Sequence, residues 1–201
     1  MTPFLRSSRP LWRRGRAPKR VFGMLGGLLA ALLLASCVPP PPAATRVVTY
    51  SVTTDGGVWS DPAEFARFAD ATLHDWSGWS RAAIEFRQVP SGGDFTLVLA
   101  EPSHLPNYDP ICTSDWSCQA GRYVVINDGR YLFGSPFWPG PIVDYRHMVI
   151  NHEVGHWLGL GHAQCPAPGA AAPIMQQQSM GMQGCAINPW PLQSEIDSVR
   201  Q

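Results

Sequence analysis

His152 and His156 stand four residues apart with Glu153 directly after the first, and Gly159 and His162 complete the pattern H-E-x-x-H-x-x-G-x-x-H. Each residue type has a physical reason for its place. Residues four apart stack on one helix face, so both imidazoles can address one ion. Glu153 is displaced around the helix by one residue, which sets it against a bound water and outside the ligand set. Gly159 tolerates a positive φ, ends the helix and turns the chain, so that His162 returns as a third ligand. Three protein ligands leave a fourth position open for water, as a catalytic zinc site requires. In a shuffled chain with 6 His and 19 Gly among 201 residues, the whole pattern arises with a frequency of about 10⁻⁵. A helix whose histidines merely pack is therefore a poor account of it.

The elements that must position these residues can be read from hydrophobic periodicity and turn chemistry. Arg46–Thr54 is rich in β-branched residues and stops at Asp55-Gly56-Gly57, which predicts a strand. Ser60 or Asp61 can cap a helix that has Pro62 at its first position. Phe65, Phe68, Ala69, Thr72, Leu73 and Trp76 then recur at helical spacing as its buried face. Ile84–Val89, Phe95–Ala100 and Tyr123–Ile126 read as further strands, with 101–121 a long loop between the last two. Asn127-Asp128-Gly129 predicts a hairpin into Tyr131–Phe133. After the Pro/Gly-rich stretch Gly134–Pro141 comes a helix of about fifteen residues ending near Gly159. Residues 163–187 read as irregular, and Pro191–Arg200 as a short closing helix. This order is α+β and contains no internal repeat.

The eleven residues from His152 to His162 resemble the zinc signature of the metzincin metalloproteases. Downstream, Ala172-Pro173-Ile174-Met175 resembles that clan's methionine turn, with Met175 thirteen residues beyond His162. More loosely, the domain resembles actinobacterial secreted or lipid-anchored metzincin-like proteins. The resemblance implies a zincin-like fold: a twisted mixed sheet, two main helices of which the second carries the zinc motif, and a small irregular C-terminal subdomain. It implies one Zn²⁺ per chain on His152, His156 and His162, with Met175 as a non-ligating floor beneath. The implied activity is an endopeptidase in which zinc activates a water and Glu153 serves as general base. Peptide substrate would be laid along an exposed sheet edge by strand addition, with the Tyr123–Ile126 strand or the neighbouring hairpin as the edge. Ala163 follows the third histidine and Gln176-Gln177-Gln178 follows Met175. The residues that mark the better-known metzincin families, and the ligating tyrosine of astacins, are thus absent. Two other functions fit the motif: a noncatalytic zinc-stabilised binding module, and a zinc amidase acting on cell-wall peptides.

Residues 1–36 carry seven bases and no acid, and end in the uncharged run Val21–Ser36. That is the composition of a signal peptide. Leu34-Ala35-Ser36-Cys37 resembles a bacterial lipobox, which makes Cys37 a lipidation site and the protein an outward-facing membrane lipoprotein; plain secretion is the alternative. Residues 37–46 then form a Pro-rich spacer, and 47–201 the metzincin-like catalytic domain. With Cys37 removed from the five cysteines, Cys112, Cys118, Cys165 and Cys185 remain. They allow three pairings, of which sequence order favours Cys112–Cys118 and Cys165–Cys185. The remaining 165 residues hold eight bases against all fifteen acids, net −7. That balance excludes a nucleic-acid-binding face. His74, His104 and His147 read as surface or packing residues, and Trp116 and Trp138 as walls of a cleft. Asp109, Asp115 and Asp128 do not form a calcium-loop pattern.

Overall fold

The computed structural model describes residues 43–200. The signal segment, Cys37 and most of the spacer lie outside them. Five strands form one mixed sheet in the order β2-β1-β3-β5-β4. β1 (Arg46–Asp55) pairs in parallel with β2 (Ile84–Gln88) on one side and β3 (Phe95–Ala100) on the other. β3 pairs in parallel with β5 (Tyr123–Asn127), and β4 (Cys118–Ala120) closes the far edge antiparallel to β5. Two main helices, α1 (Pro62–His74) and α3 (Ile142–Trp157), accompany the sheet, with the short α2 (Asp128–Phe133) and α4 (Gln193–Val199). From Leu158 to Leu192 the chain is irregular apart from a short 3₁₀ turn at Gln178–Met180 and two isolated bridges. The expected α+β layout is present, a mixed sheet with two main helices of which the second carries the histidine motif.

The core explains why β3 sits at the centre. All six of its residues are buried, as a strand covered on both faces requires. Phe95, Leu97 and Leu99 face the α1–α3 layer, where they join Tyr50, Phe65, Leu73, Trp79 and Val154. Val98 and Ala100 face the other way and meet Leu105, Cys112 and Val125. The 101–121 segment is therefore more than a loop. It packs a 3₁₀ turn (Pro102–Asn107) over the second face and then supplies β4. β4 is three residues long, too short for an alternating pattern to show in the sequence.

Three further expectations are corrected. Asn127-Asp128-Gly129 does not make a hairpin. Asn127 ends β5 and caps α2 instead, its side chain accepting the Arg130 N–H at 3.1 Å. Asn serves turns and N-caps equally well, and burial of Tyr131 against Phe65 decides for the helix. β5 is internal because β3 and β4 pair on its two sides, and Tyr131–Phe133 is helical, so neither can serve as the edge. Trp76 is 69% exposed and leaves the buried face of α1, because the helix ends at His74. Of the two candidate caps, Asp61 does the work, accepting the N–H groups of Ala63 and Glu64.

Trp79 couples the first half of the chain to α3. It is fully buried and donates its indole N–H to the Asn151 carbonyl at 3.0 Å, one residue before the motif's first histidine. Trp79→Ala should lower stability by about 3–5 kcal/mol in urea denaturation. A midpoint unchanged from wild type would contradict this packing role.

Candidate metal centre

α3 brings His152 and His156 onto one face, and its C-terminus delivers His162. The helix ends in a Schellman arrangement. The Leu160 N–H reaches the Gly155 carbonyl at 3.0 Å and the Gly159 N–H reaches the His156 carbonyl at 2.9 Å. Gly159 takes φ +97°, which a side chain would resist. The reversal brings His162 Nε2 to 3.1 Å from His156 Nε2, which is itself 3.1 Å from His152 Nε2. Among the described residues, these three form the one cluster of His, Cys, Asp and Glu able to converge on an ion.

The backbone settles which ring nitrogens face inward. His152 Nδ1 lies 2.8 Å from the Ile174 carbonyl, and His156 Nδ1 lies 2.9 Å from that of Leu160. A carbonyl only accepts, so each Nδ1 carries the hydrogen and each neutral ring has a bare Nε2. Burial, reinforced by His156 alongside, pushes His152 down to about 3. Burial likewise lowers His156 and His162. Two lone pairs then face one another across 3.1 Å with no hydrogen between them, an arrangement that a shared cation relieves. Nitrogens on a tetrahedral Zn²⁺ stand roughly 3.3 Å apart for normal Zn–N bonds. The donor set therefore fits zinc.

Glu153 lines the same cleft as the three histidines and is 5% exposed. Burial pushes its carboxyl up to about 8. A divalent cation between the histidines acts in the opposite direction and favours the carboxylate.

Met175 is buried beneath the helix. A Cβ on Gly155 would meet its sulfur at 2.4 Å and Trp79 Cζ2 at 3.0 Å, so Gly155 permits the approach of the methionine turn. A glycine in a helix interior costs about 1 kcal/mol against alanine, and here close packing gives the reason. The turn is tied to both ends of the motif. Its Ile174 carbonyl accepts from His152, and its Met175 carbonyl accepts the Ala163 N–H at 2.9 Å, one residue after His162.

Glu195 on α4 went unrecognised in the sequence. Its carboxylate accepts the N–H groups of Ile174 (2.9 Å), Met175 (2.9 Å) and Leu192 (2.8 Å). One buried side chain thus holds the methionine turn and starts the closing helix. The local signal was a glutamate three residues after a helix start. Nothing local pointed to Met175, twenty residues earlier.

The cleft has a volume of about 320 Å³. Trp116 lines it as expected, but Trp138 does not. Trp138 is 9% exposed, packs edge-on to Tyr145 at 5.6 Å and donates to the Pro141 carbonyl. Ser117, Cys118 and Gln119 also line it, so the edge strand beside the histidines is β4. His147 stacks on Phe68 at 4.5 Å and bonds Thr72 Oγ1, while His104 and His74 pair with Asp55 and Asp70. The two disulfides are Cys112–Cys118 and Cys165–Cys185.

A family model described as "Protein of unknown function (DUF3152)" matches residues 35–190. No match is found among curated proteins. Among solved structures, archaemetzincin from Methanopyrus kandleri is similar to this chain at 16% identity with a TM-score of 0.46. The similarity covers 81% of this chain and 97% of that one.

Glu195→Gln replaces an acceptor oxygen by a donor facing backbone N–H groups that have no other partner. It should cost about 1–3 kcal/mol in denaturant unfolding. An unchanged midpoint would show that the carboxylate does not hold the methionine turn.

Proposed function

We propose that this chain, which belongs to the DUF3152 family, is an exported, membrane-anchored zinc endopeptidase. The observation that carries the reading is the convergence of three Nε2 atoms, two of them left bare by their backbone-bonded Nδ1, beside a buried carboxyl in a cleft bordered by an edge strand. His152, His156 and His162 would hold the ion, and Met175 would support them from below without ligating. When bound, zinc supplies Lewis acidity and a water acidified towards neutral pH.

The chain's own residues account for the rest. Glu153 accepts a proton from the attacking water and delivers it to the leaving amine, and its burial keeps bulk water from competing. The Ile174 and Leu160 carbonyls hold two of the imidazoles in the tautomer that presents Nε2. A substrate strand would add to the free edge of β4, where backbone hydrogen bonds bind any sequence in extended form.

Export and anchoring rest on the basic segment, the apolar run Val21–Ser36 and the lipobox-like Leu34-Ala35-Ser36-Cys37. Two disulfides also suit an oxidising compartment. Lipidation at Cys37 would leave the domain facing outward on the Pro-rich spacer.

Glu153→Gln is nearly isosteric and keeps the histidines, so zinc content and melting temperature should change little while peptide hydrolysis falls by about 10² to 10⁴. His162→Ala should lose most of the zinc. If zinc-loaded wild type cleaves no peptide bond, the noncatalytic binding module replaces the enzyme.

A diacylated Cys37 should keep the protein in the membrane fraction through high-salt washes, and Cys37→Ser should leave a precursor of higher mass. Equal mobility and equal detergent partitioning of the two forms would remove the lipoprotein assignment.

A further inference from the structure

The wall of the cleft opposite α3 is the segment from Ile111 to Gln119, and it is unusually well tied for a surface loop. The Cys112–Cys118 disulfide closes it. The Asn127 side chain donates to the Ser114 carbonyl at 2.8 Å, and the Asn127 backbone N–H donates to Ser117 Oγ at 3.0 Å. Arg130 donates from Nε to the Asp115 carbonyl at 2.8 Å, and its guanidinium carbon lies 4.5 Å from the centre of the Trp116 ring.

These ties hold the Trp116 indole with one face covered. Arg130 occupies that face and does not border the cleft, whereas Trp116 does. The part of the ring that Arg130 leaves uncovered is what Trp116 can offer to the cleft it lines. Around it the apolar surface comes from Ile111, Met148, Val149 and Met180. Ile111 and Met180 stand at the mouth with 78% and 54% of their surface exposed. The polar members of the wall, such as Thr113, Gln119 and Ser179, are uncharged. Apart from Glu153 and the three histidines, the cleft carries no ionisable side chain.

We propose that Trp116 is the specificity-determining residue of the cleft, a rigid platform for a planar or large apolar side chain within an uncharged peptide segment. The inference rests on the peptidase reading and names its substrate class. A ring placed on the free face of Trp116 would stack without reorganising the loop. A charged side chain seated there would lose part of its water, and no ionisable side chain of the cleft outside the three histidines and Glu153 would compensate it. The net −7 of residues 37–201 works further against acidic peptides at long range.

The test uses the zinc-loaded full chain carrying Glu153→Gln, so that binding is read without turnover. The probes are three end-blocked pentapeptides, Ala-Ala-X-Ala-Ala with X as Phe, Asp or Lys. The Phe peptide should bind about 10-fold tighter than either charged one and should shift the indole N–H resonance of Trp116. Trp116→Ala should bring the three affinities to within about 2-fold. Trp116→Phe should keep a clear preference, which a merely structural loss would not restore. Equal or tighter binding of the charged peptides would overturn the proposal, as would a preference unchanged in Trp116→Ala. Turnover of the same peptides by the wild-type chain separates the two readings. Preference without hydrolysis keeps this inference and removes the peptidase, whereas hydrolysis without preference does the reverse.

Discussion

The hydrogen bond from His152 Nδ1 to the Ile174 carbonyl joins α3 to the turn at Ile174–Met175, and much of the site is arranged around it. A buried neutral imidazole needs its N–H satisfied, and a backbone carbonyl is the partner that leaves the tautomer no choice. That carbonyl must then be held in place from outside the helix. Glu195 does so by accepting the N–H groups of Ile174 and Met175, and Met175 in turn returns its carbonyl to Ala163 beside the third histidine. Helix, turn, third histidine and closing helix thus form one circuit of hydrogen bonds around the site.

The circuit closes because the helix surface lets the turn approach. Gly155 gives up helix propensity so that the Met175 sulfur and the Trp79 ring can press against α3. Trp79 also binds the Asn151 carbonyl, so the sheet-side core and the floor of the site share one aromatic ring. Burial has an electrostatic consequence as well. It lowers the affinity of all three histidines for protons and raises that of Glu153. The site is consequently poor in charge until a cation joins it, which is the condition in which three neutral donors bind one most readily.

The opposite wall is built on a separate principle. Its disulfide spans only six residues, and a loop that short gains rigidity more through geometry than through chain entropy. Asn127 serves three partners there: it ends β5, caps α2 through Arg130 and anchors the Ser114–Ser117 segment. The edge strand β4 leads directly out of this segment, so the wall and that sheet edge are covalently continuous.

What the sequence determined by itself was whatever depends on residues within a few positions of each other. The three-histidine and glutamate motif, the reversal at Gly159, the start of α1 at Pro62 and the strands β1 to β3 all follow from spacing and turn chemistry, which act over one helical turn or one alternation. Ambiguity began where a local signal had two uses. Asn127-Asp128-Gly129 suits a hairpin and a helix cap alike, and only the packing of Tyr131 against Phe65 and Phe68 chose the cap. The tertiary structure alone decided that β4 is the edge, that Glu195 holds Met175, that Trp138 is core while Trp116 faces the cleft, and that Arg130 backs that ring. Each depends on partners brought together from distant positions or on burial set by the assembled core, and no periodicity within a segment records which distant groups will share a low-dielectric interior.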